Sequence, residues 1–281
     1  MRTRIYILTI FWAISIICTK LQAQKITAYN DSVPNTYNFW LYTPDRTIDD
    51  EIEPKPVIIF LHGASLCGRN LEMVKRYGTI DAIEKGRNID AYVIAPQNPG
   101  GPWNPDKLMQ ILDWVSDNHN IDYDRVYAIG MSLGGYGTID LAAAYPDRIT
   151  AAIAMCGGST VSDLSTLNDV PLWIIHGTAD RAVSVQQSDK VVAEMRQANT
   201  ETPRLIYNRI QGMNHSRPAR MFYLTESYEW LFRHTLKDEN REIAPSFELT
   251  DEVLQSAYIG LKSIKRSGKT TKRRATRRKR K

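Results

Sequence analysis

Cysteine is nearly missing from this chain, with three in 281 residues. Cys18 falls in an N-terminal segment expected to be removed, which leaves Cys67 and Cys156. So few thiols exclude a disulfide scaffold; the remaining pair forms one bridge or stands as two buried thiols. Histidine is almost as scarce, with five copies. No Cys/His cluster has metal-ligand spacing and no glycine-rich phosphate loop is present, so neither a metal nor a cofactor is expected. No apolar run reaches the roughly 20 residues that span a bilayer. Acidic residues are absent from positions 262–281, which hold 12 of the 36 Lys and Arg.

That last absence splits the charge. Without those twelve cations the formal net charge of +5 becomes −7, and without Arg2, Arg4 and Lys20 it becomes −10. The basic balance belongs to the tail alone. Residues 262–281 are expected to be a disordered tail, read first as a solvated extension without a specific partner and second as a segment that touches anionic surfaces. It has no interleaved aromatics for base stacking, so nucleic acid is not an expected partner. At the other end, Met1-Arg2-Thr3-Arg4 is a basic n-region, 5–18 an apolar core, and Ala23 a small residue suited to cleavage. This has the form of a secretory signal peptide over residues 1–23, so the protein is expected to be exported, to the periplasm or beyond.

Between these ends, buried-strand and helix patterns alternate. Apolar runs at 57–61, 92–95, 126–129, 149–155, 172–175 and 204–210 read as strands, preceded by an aromatic edge strand at 37–42. Helical spacing is expected at 71–84, 107–118, 138–145, 184–198 and 221–236. Such alternation predicts an α/β fold with a mostly parallel sheet over residues 25–237. An extension at 238–261 follows, in which Thr250 is placed to cap a short helix. The link from 156 to 171 is too short for a cap domain, which predicts an open site.

The centre of the chain is Gly130-Met131-Ser132-Leu133-Gly134, set between the strand at 126–129 and the helix at 138–145. Strand, G-x-S-x-G, helix is the context of a nucleophile elbow: the serine is thrown out on a strained turn, and the flanking glycines admit close backbone approach. A serine hydroxyl needs a base, and that base an acid to hold its tautomer, in the chain order Ser, Asp or Glu, His. Asp180 follows the strand at 172–175, and His215 lies on a loop beyond the last strand. Asp169 and Asp163 are alternative acids. His62 and His176 each precede a glycine at a strand end, where turn packing is the natural role; His119 lies upstream of the serine, and His234 sits in the closing helix. For the oxyanion, the backbone N–H of Leu133 is one expected donor. The other comes from the loop after Gly63, with Ala64 preferred to Ser65. Cys67 is a weaker rival nucleophile, since it lacks the elbow. Trp103, on a loop after a strand end, either lines the substrate site or packs.

These segments, with Tyr145-Pro146-Asp147, Cys156-Gly157-Gly158 and His176-Gly177-Thr178-Ala179-Asp180, together resemble the α/β-hydrolase superfamily. Within it they are similar to the cap-less bacterial group of esterases and "predicted peptidases" related to feruloyl and acetylxylan esterases. The resemblance covers residues 37–236. It implies an α/β-hydrolase fold without a cap, Ser132, Asp180 and His215 as a triad, and Leu133 and Ala64 as oxyanion donors. In that group a tryptophan often follows the histidine closely; here Ser216-Arg217-Pro218 stands instead. The expected activity is hydrolysis of a carboxylic ester, on a small molecule or as an acyl group on a polysaccharide, through an acyl-enzyme. The alternatives are a serine peptidase of the same fold and a catalytically silent binding relative.

Overall fold

The computed structural model describes residues 25–45, 53–241, 243 and 248–263. The expected signal segment and all but the first two residues of the basic tail lie outside them. The described strands are β1 (Lys25–Tyr29), β2 (Phe39–Thr43), β3 (Lys55–Leu61), β4 (Tyr92–Pro96), β5 (Ile121–Met131), β6 (Ala151–Met155), β7 (Leu172–Gly177) and β8 (Leu205–Ile210). The helices are α1 (Thr79–Glu84), α2 (Pro105–Asn118), α3 (Leu133–Ala144), α4 (Gln186–Ala198), α5 (Thr225–Phe232) and α6 (Asp251–Ser256). The strands form one eight-stranded sheet in the order β1-β2-β4-β3-β5-β6-β7-β8. Only β2 runs against the rest, pairing antiparallel with both β1 and β4. This is the α/β-hydrolase fold with a mostly parallel sheet.

Strand alternation sends side chains to two cores. Val57, Ile59 and Leu61 face one core, which α2, α3 and α4 cover with Leu108, Ile111, Ile139, Leu141, Val191 and Met195. Ile58 and Phe60 face the other, covered by α1, α5 and α6 through Ile80, Tyr228, Trp230 and Leu254. The central strands are thus buried on both faces, which is why they read as unbroken apolar runs.

Three expectations need correction. The aromatic run at 37–42 is not an edge: β2 is buried at every position, and the half-exposed β1 lies outside it. A strand carrying Phe39, Trp40 and Tyr42 needs cover on its open side, and Tyr29 of β1 stacks on Phe39 at 5.2 Å. The helix expected over 71–84 is a 3-10 turn (Leu71–Arg76) and then α1, broken at Tyr77 and at Gly78, whose φ is +97°. The closing helix is likewise split, into a 3-10 turn (Arg217–Tyr223) and α5. Thr250 does cap α6, its hydroxyl accepting from Val253 N–H at 3.3 Å. Cys67 and Cys156 are both free thiols.

The first turn of α3 lies directly on the sheet. A Cβ on Gly134 would fall 1.9 Å from Leu61 O, and one on Gly130 would fall 2.2 Å from Gly134 O. Both obstacles are backbone, so a side chain cannot move aside to admit a methyl group. Gly134→Ala is therefore expected to lower the unfolding free energy by about 3 kcal/mol or more, at the upper end of overpacking effects. The test is the denaturant midpoint followed by circular dichroism, and an unchanged midpoint would show that the helix can lift off the sheet.

Candidate active site

Four strand ends meet at the carboxyl edge of the sheet, where open α/β sheets hold their ligands. β5 delivers Ser132, β7 leads to Asp180, β8 to His215, and β3 to the loop at 63–65. Ser132 has φ 59° and ψ −122°, a conformation that strains a residue bearing a Cβ by about 1–3 kcal/mol. Its N–H donates to Met155 O at 2.8 Å, and its carbonyl accepts from Tyr136 N–H at 3.0 Å, so the turn is held from both sides. Its side chain lines a cavity of about 410 Å³ together with Gly63, Ala64, Tyr77, Met131 and His215.

The side chain of Asp180 is fully buried, at 0% exposure. Oδ1 accepts the N–H groups of Ala182 at 2.8 Å and Val183 at 2.9 Å. Oδ2 accepts from His215 Nδ1–H at 2.6 Å. Burial alone would push this carboxyl up, but the donors on it outweigh burial and hold it below the usual carboxylate range. Because the ionised carboxylate only accepts, neutral His215 carries its proton on Nδ1 and keeps Nε2 as the basic nitrogen. The imidazole and Ser132 line the same cavity. No hydrogen bond joins Ser132 Oγ to His215 among the described residues. Such contacts are commonly long in unliganded sites and tighten with substrate.

The loop after β3 is pinned by Tyr77, which sequence reasoning missed, by His62 in its expected turn-packing role, and by Trp103. Gly63 N–H donates to the Tyr77 hydroxyl at 2.8 Å. His62 Nδ1–H donates to Gly63 O at 2.8 Å, while Nε2 accepts from Asn98 N–H at 3.1 Å. Trp103 is buried beneath the loop, with Nε1–H donating to His62 O at 3.3 Å and its ring 5.0 Å from that imidazole. It packs against α3 at Gly137 and is not among the residues that line the cavity. Gly63 lies so close to the elbow that a Cβ there would sit 3.3 Å from Ser132 Cβ. The N–H groups of Ala64 and Leu133 donate to no other group among the described residues.

The remaining candidates fall elsewhere. Asp163 is exposed and accepts from Ser165 within its own turn; Asp169 is exposed and lies 3.9 Å from Arg204. Cys67 belongs to the 63–67 loop, and burial raises its thiol pKa, which disfavours a thiolate. His176, expected only to pack a turn, lies 3.3 Å from Asp180 Oδ2 through Nε2. Cys156, His176 and Asp180 place three potential metal-ligand atoms within 4.8 Å of one another. Hydrogen bonds already engage Asp180, as above, and His176, whose Nε2 donates to Val183 O at 3.0 Å. No sequence signal marks Tyr77 or the His176 contact, since both depend on which loops meet.

A family model described as "Putative esterase" matches residues 31–243. Feruloyl esterase B of Thermothelomyces thermophilus is 28% identical over 170 residues, which is 52% of this chain and 53% of that protein. Acetylxylan esterase A of Emericella nidulans is 24% identical over 159 residues, 48% of this chain and 47% of that one. The chain thus spans about half the length of these curated relatives. Among solved structures, a thermostable esterase matches with a TM-score of 0.59 and 25% identity, covering 75% of this chain and 63% of the other. The Staphylococcus aureus S-formylglutathione hydrolase has a TM-score of 0.53 at 17% identity, covering 74% and 96%, a likeness of fold alone.

The buried His62 has a pH consequence. Burial lowers its pKa from 6.5 to about 4. Between those values the unfolded chain binds a proton that the folded chain does not, so stability falls as pH drops through this window and is unaffected by His62 above it. The expected loss is roughly 3 kcal/mol. His62→Gln is expected to have a shallower slope of unfolding free energy from pH 6.5 to 4; parallel slopes would assign the acid sensitivity to other groups.

Proposed function

The chain belongs to the esterase family, and from that premise we propose that it is an exported serine hydrolase that cleaves carboxylic esters through an acyl-enzyme. Ser132 is the nucleophile, His215 the general base and Asp180 the group that orients it. The observation that carries this reading is the 2.6 Å Asp180–His215 hydrogen bond behind an imidazole that lines one cavity with an elbow serine. As Ser132 Oγ bonds to the ester carbonyl carbon, His215 Nε2 takes its proton. The N–H groups of Leu133 and Ala64 hold the oxyanion. The imidazolium then protonates the leaving alcohol as the C–O bond breaks, and water repeats the sequence to release the acid.

The proposed substrate is an acyl decoration on a polysaccharide. Two of the relatives are named for feruloyl and acetylxylan ester cleavage. The cavity beside Ser132 has a largely apolar wall formed by Ala64, Tyr77, Met131 and Ala219, suited to an acyl group. A second, larger hollow of about 610 Å³ shares His215 and Ser216 with it and is lined also by Ala179, Arg181 and Asn214, with room for a bulky alcohol. The signal segment at 1–23 supports export, and the tail at 262–281 is assigned to anionic surfaces by its charge.

The test is a panel of 4-nitrophenyl acetate, feruloylated and acetylated xylo-oligosaccharides and aminoacyl amides. Ester turnover is expected, with Ser132→Ala and His215→Ala each losing 10⁴-fold or more, on the order seen when a triad member is removed. Leu133→Ala is expected to lose far less, because its donor is backbone. Amide turnover exceeding ester turnover would make the protein a peptidase, and turnover of free alkyl esters alone would remove the polysaccharide.

A further inference from the structure

His176 lies outside the proposed triad, yet its Nε2 stands against the same carboxylate oxygen as His215. The residue is 0% exposed. Its Nε2 is 3.0 Å from Val183 O and 3.3 Å from Asp180 Oδ2. Both groups only accept, so Nε2 carries a hydrogen, which is donated to Val183 O with Asp180 Oδ2 as the longer contact. On the far side of the ring, Nδ1 lies 2.8 Å from Ser188 Oγ, and that hydroxyl is 2.7 Å from Gly157 O. Ser188 sits on α4, whose packing therefore fixes both the plane of the imidazole and the nitrogen that points at Asp180. The other ionisable groups around His176 are Cys156 at the end of β6, His215, Asp189 of α4, and Arg209, which pairs with it in register from β8. Burial lowers the His176 pKa, in keeping with a neutral ring that acts as a donor.

Resting on the triad reading above, we propose that His176 is a positioning residue that shares Asp180 Oδ2 with His215. Its Nε2–H, which donates to Val183 O, keeps the positive end of its dipole 3.3 Å from Oδ2 and takes up part of the accepting power of that oxygen. The strength with which Asp180 grips the His215 imidazolium is thus set by a second imidazole, which Ser188 aims from α4. A residue that only filled space at this position would fix the loop and leave the proton affinity of the base unchanged.

The test is the pH dependence of kcat/KM for a 4-nitrophenyl ester in the full-length wild type, His176→Leu, His176→Gln and Ser188→Ala. Without the Nε2–H, Asp180 is a stronger acceptor for His215 and the base protonates at higher pH. The acid-side half-maximum of His176→Leu is expected to rise by roughly 0.3 pH unit, less than half of one ordinary hydrogen bond, because Oδ2 is the longer of the two contacts of Nε2. His176→Gln, which keeps an N–H donor, is expected to restore the wild-type profile. Ser188→Ala, which removes only the hydroxyl at Nδ1, is expected to move the limb the same way by less, and it decides the matter if His176→Leu does not fold. An unmoved acid limb overturns the proposal, and so does a His176→Gln profile that moves with His176→Leu. Fluorophosphonate labelling keeps the two readings apart. Labelling that survives Ser132→Ala overturns the triad, whereas labelling confined to Ser132 with an unmoved limb overturns only the role of His176.

Discussion

Everything at the carboxyl edge of the sheet depends on how closely α3 approaches the strand backbones. A helix normally rests on a sheet through side chains, which hold the two backbones apart. Here Gly134 meets Leu61 O, and Gly135 meets Met155 O, with no side chain between them. The first turn of the helix is thereby wedged between the ends of β3 and β6. Ser132, one residue earlier, is left with a left-handed φ and a side chain directed out of the sheet. The same approach leaves the N–H of Leu133 at the helix start, where intrahelical partners are lacking, and brings the loop at 63–65 against the serine. One steric fact thus sets the proposed nucleophile and both candidate donors.

The acid side of the site is governed by desolvation. A carboxylate with no exposed side-chain surface is stable as an anion only if donors replace water. Asp180 has the N–H groups of Ala182 and Val183 on one oxygen and two imidazoles near the other. The backbone donors come from the turn that follows Asp180 itself, so residues 180–183 both bury the charge and compensate it. The histidines then differ in surroundings. His176 is closed in by α4, while His215 keeps one face on the cavity. Only the second can exchange a proton with a substrate.

Much of this was legible in the sequence, and the boundary of legibility is physical. β3, β4, β5, β6 and β7 read as strands because burial on both faces demands continuous apolar runs. The elbow read clearly because its pattern is local: five consecutive residues between a strand and a helix carry it, even though Gly134 answers to Leu61 O. Asp180 and His215 followed from chain order, which topology imposes. What failed depended on contacts across the fold. β2 looked like an edge because nothing in its residues announces that β1 covers it. The breaks at Tyr77-Gly78 and at Leu224 interrupt apolar spacing that is otherwise helical. Tyr77, Trp103 and His176 meet groups that tertiary structure brings to them: Tyr77 meets Gly63, 14 positions away, Trp103 meets His62, 41 positions away, and His176 meets Ser188 of α4. Periodicity carries no information about such meetings.

The site is consequently made of two mechanical units. β8 is an edge strand with no fully buried position, so it gives His215 little support. The loop that carries this histidine is tied to β7 instead: Ala179 N–H donates to Met213 O at 3.0 Å, and Gly212 N–H donates to Thr178 Oγ1 at 2.9 Å. The loop crosses so near that a Cβ on Gly177 would be 2.1 Å from Met213 O. Asp180 and His215 are therefore fastened to one strand end, and their hydrogen bond is short. Ser132 belongs to the other unit, built from β5 and α3. The gap between imidazole and hydroxyl is the seam between the two, and it is the one contact of the proposed triad that is not closed by a hydrogen bond. A substrate bound in the cavity, touching the loop at 63–65 on one side and His215 on the other, acts across that seam.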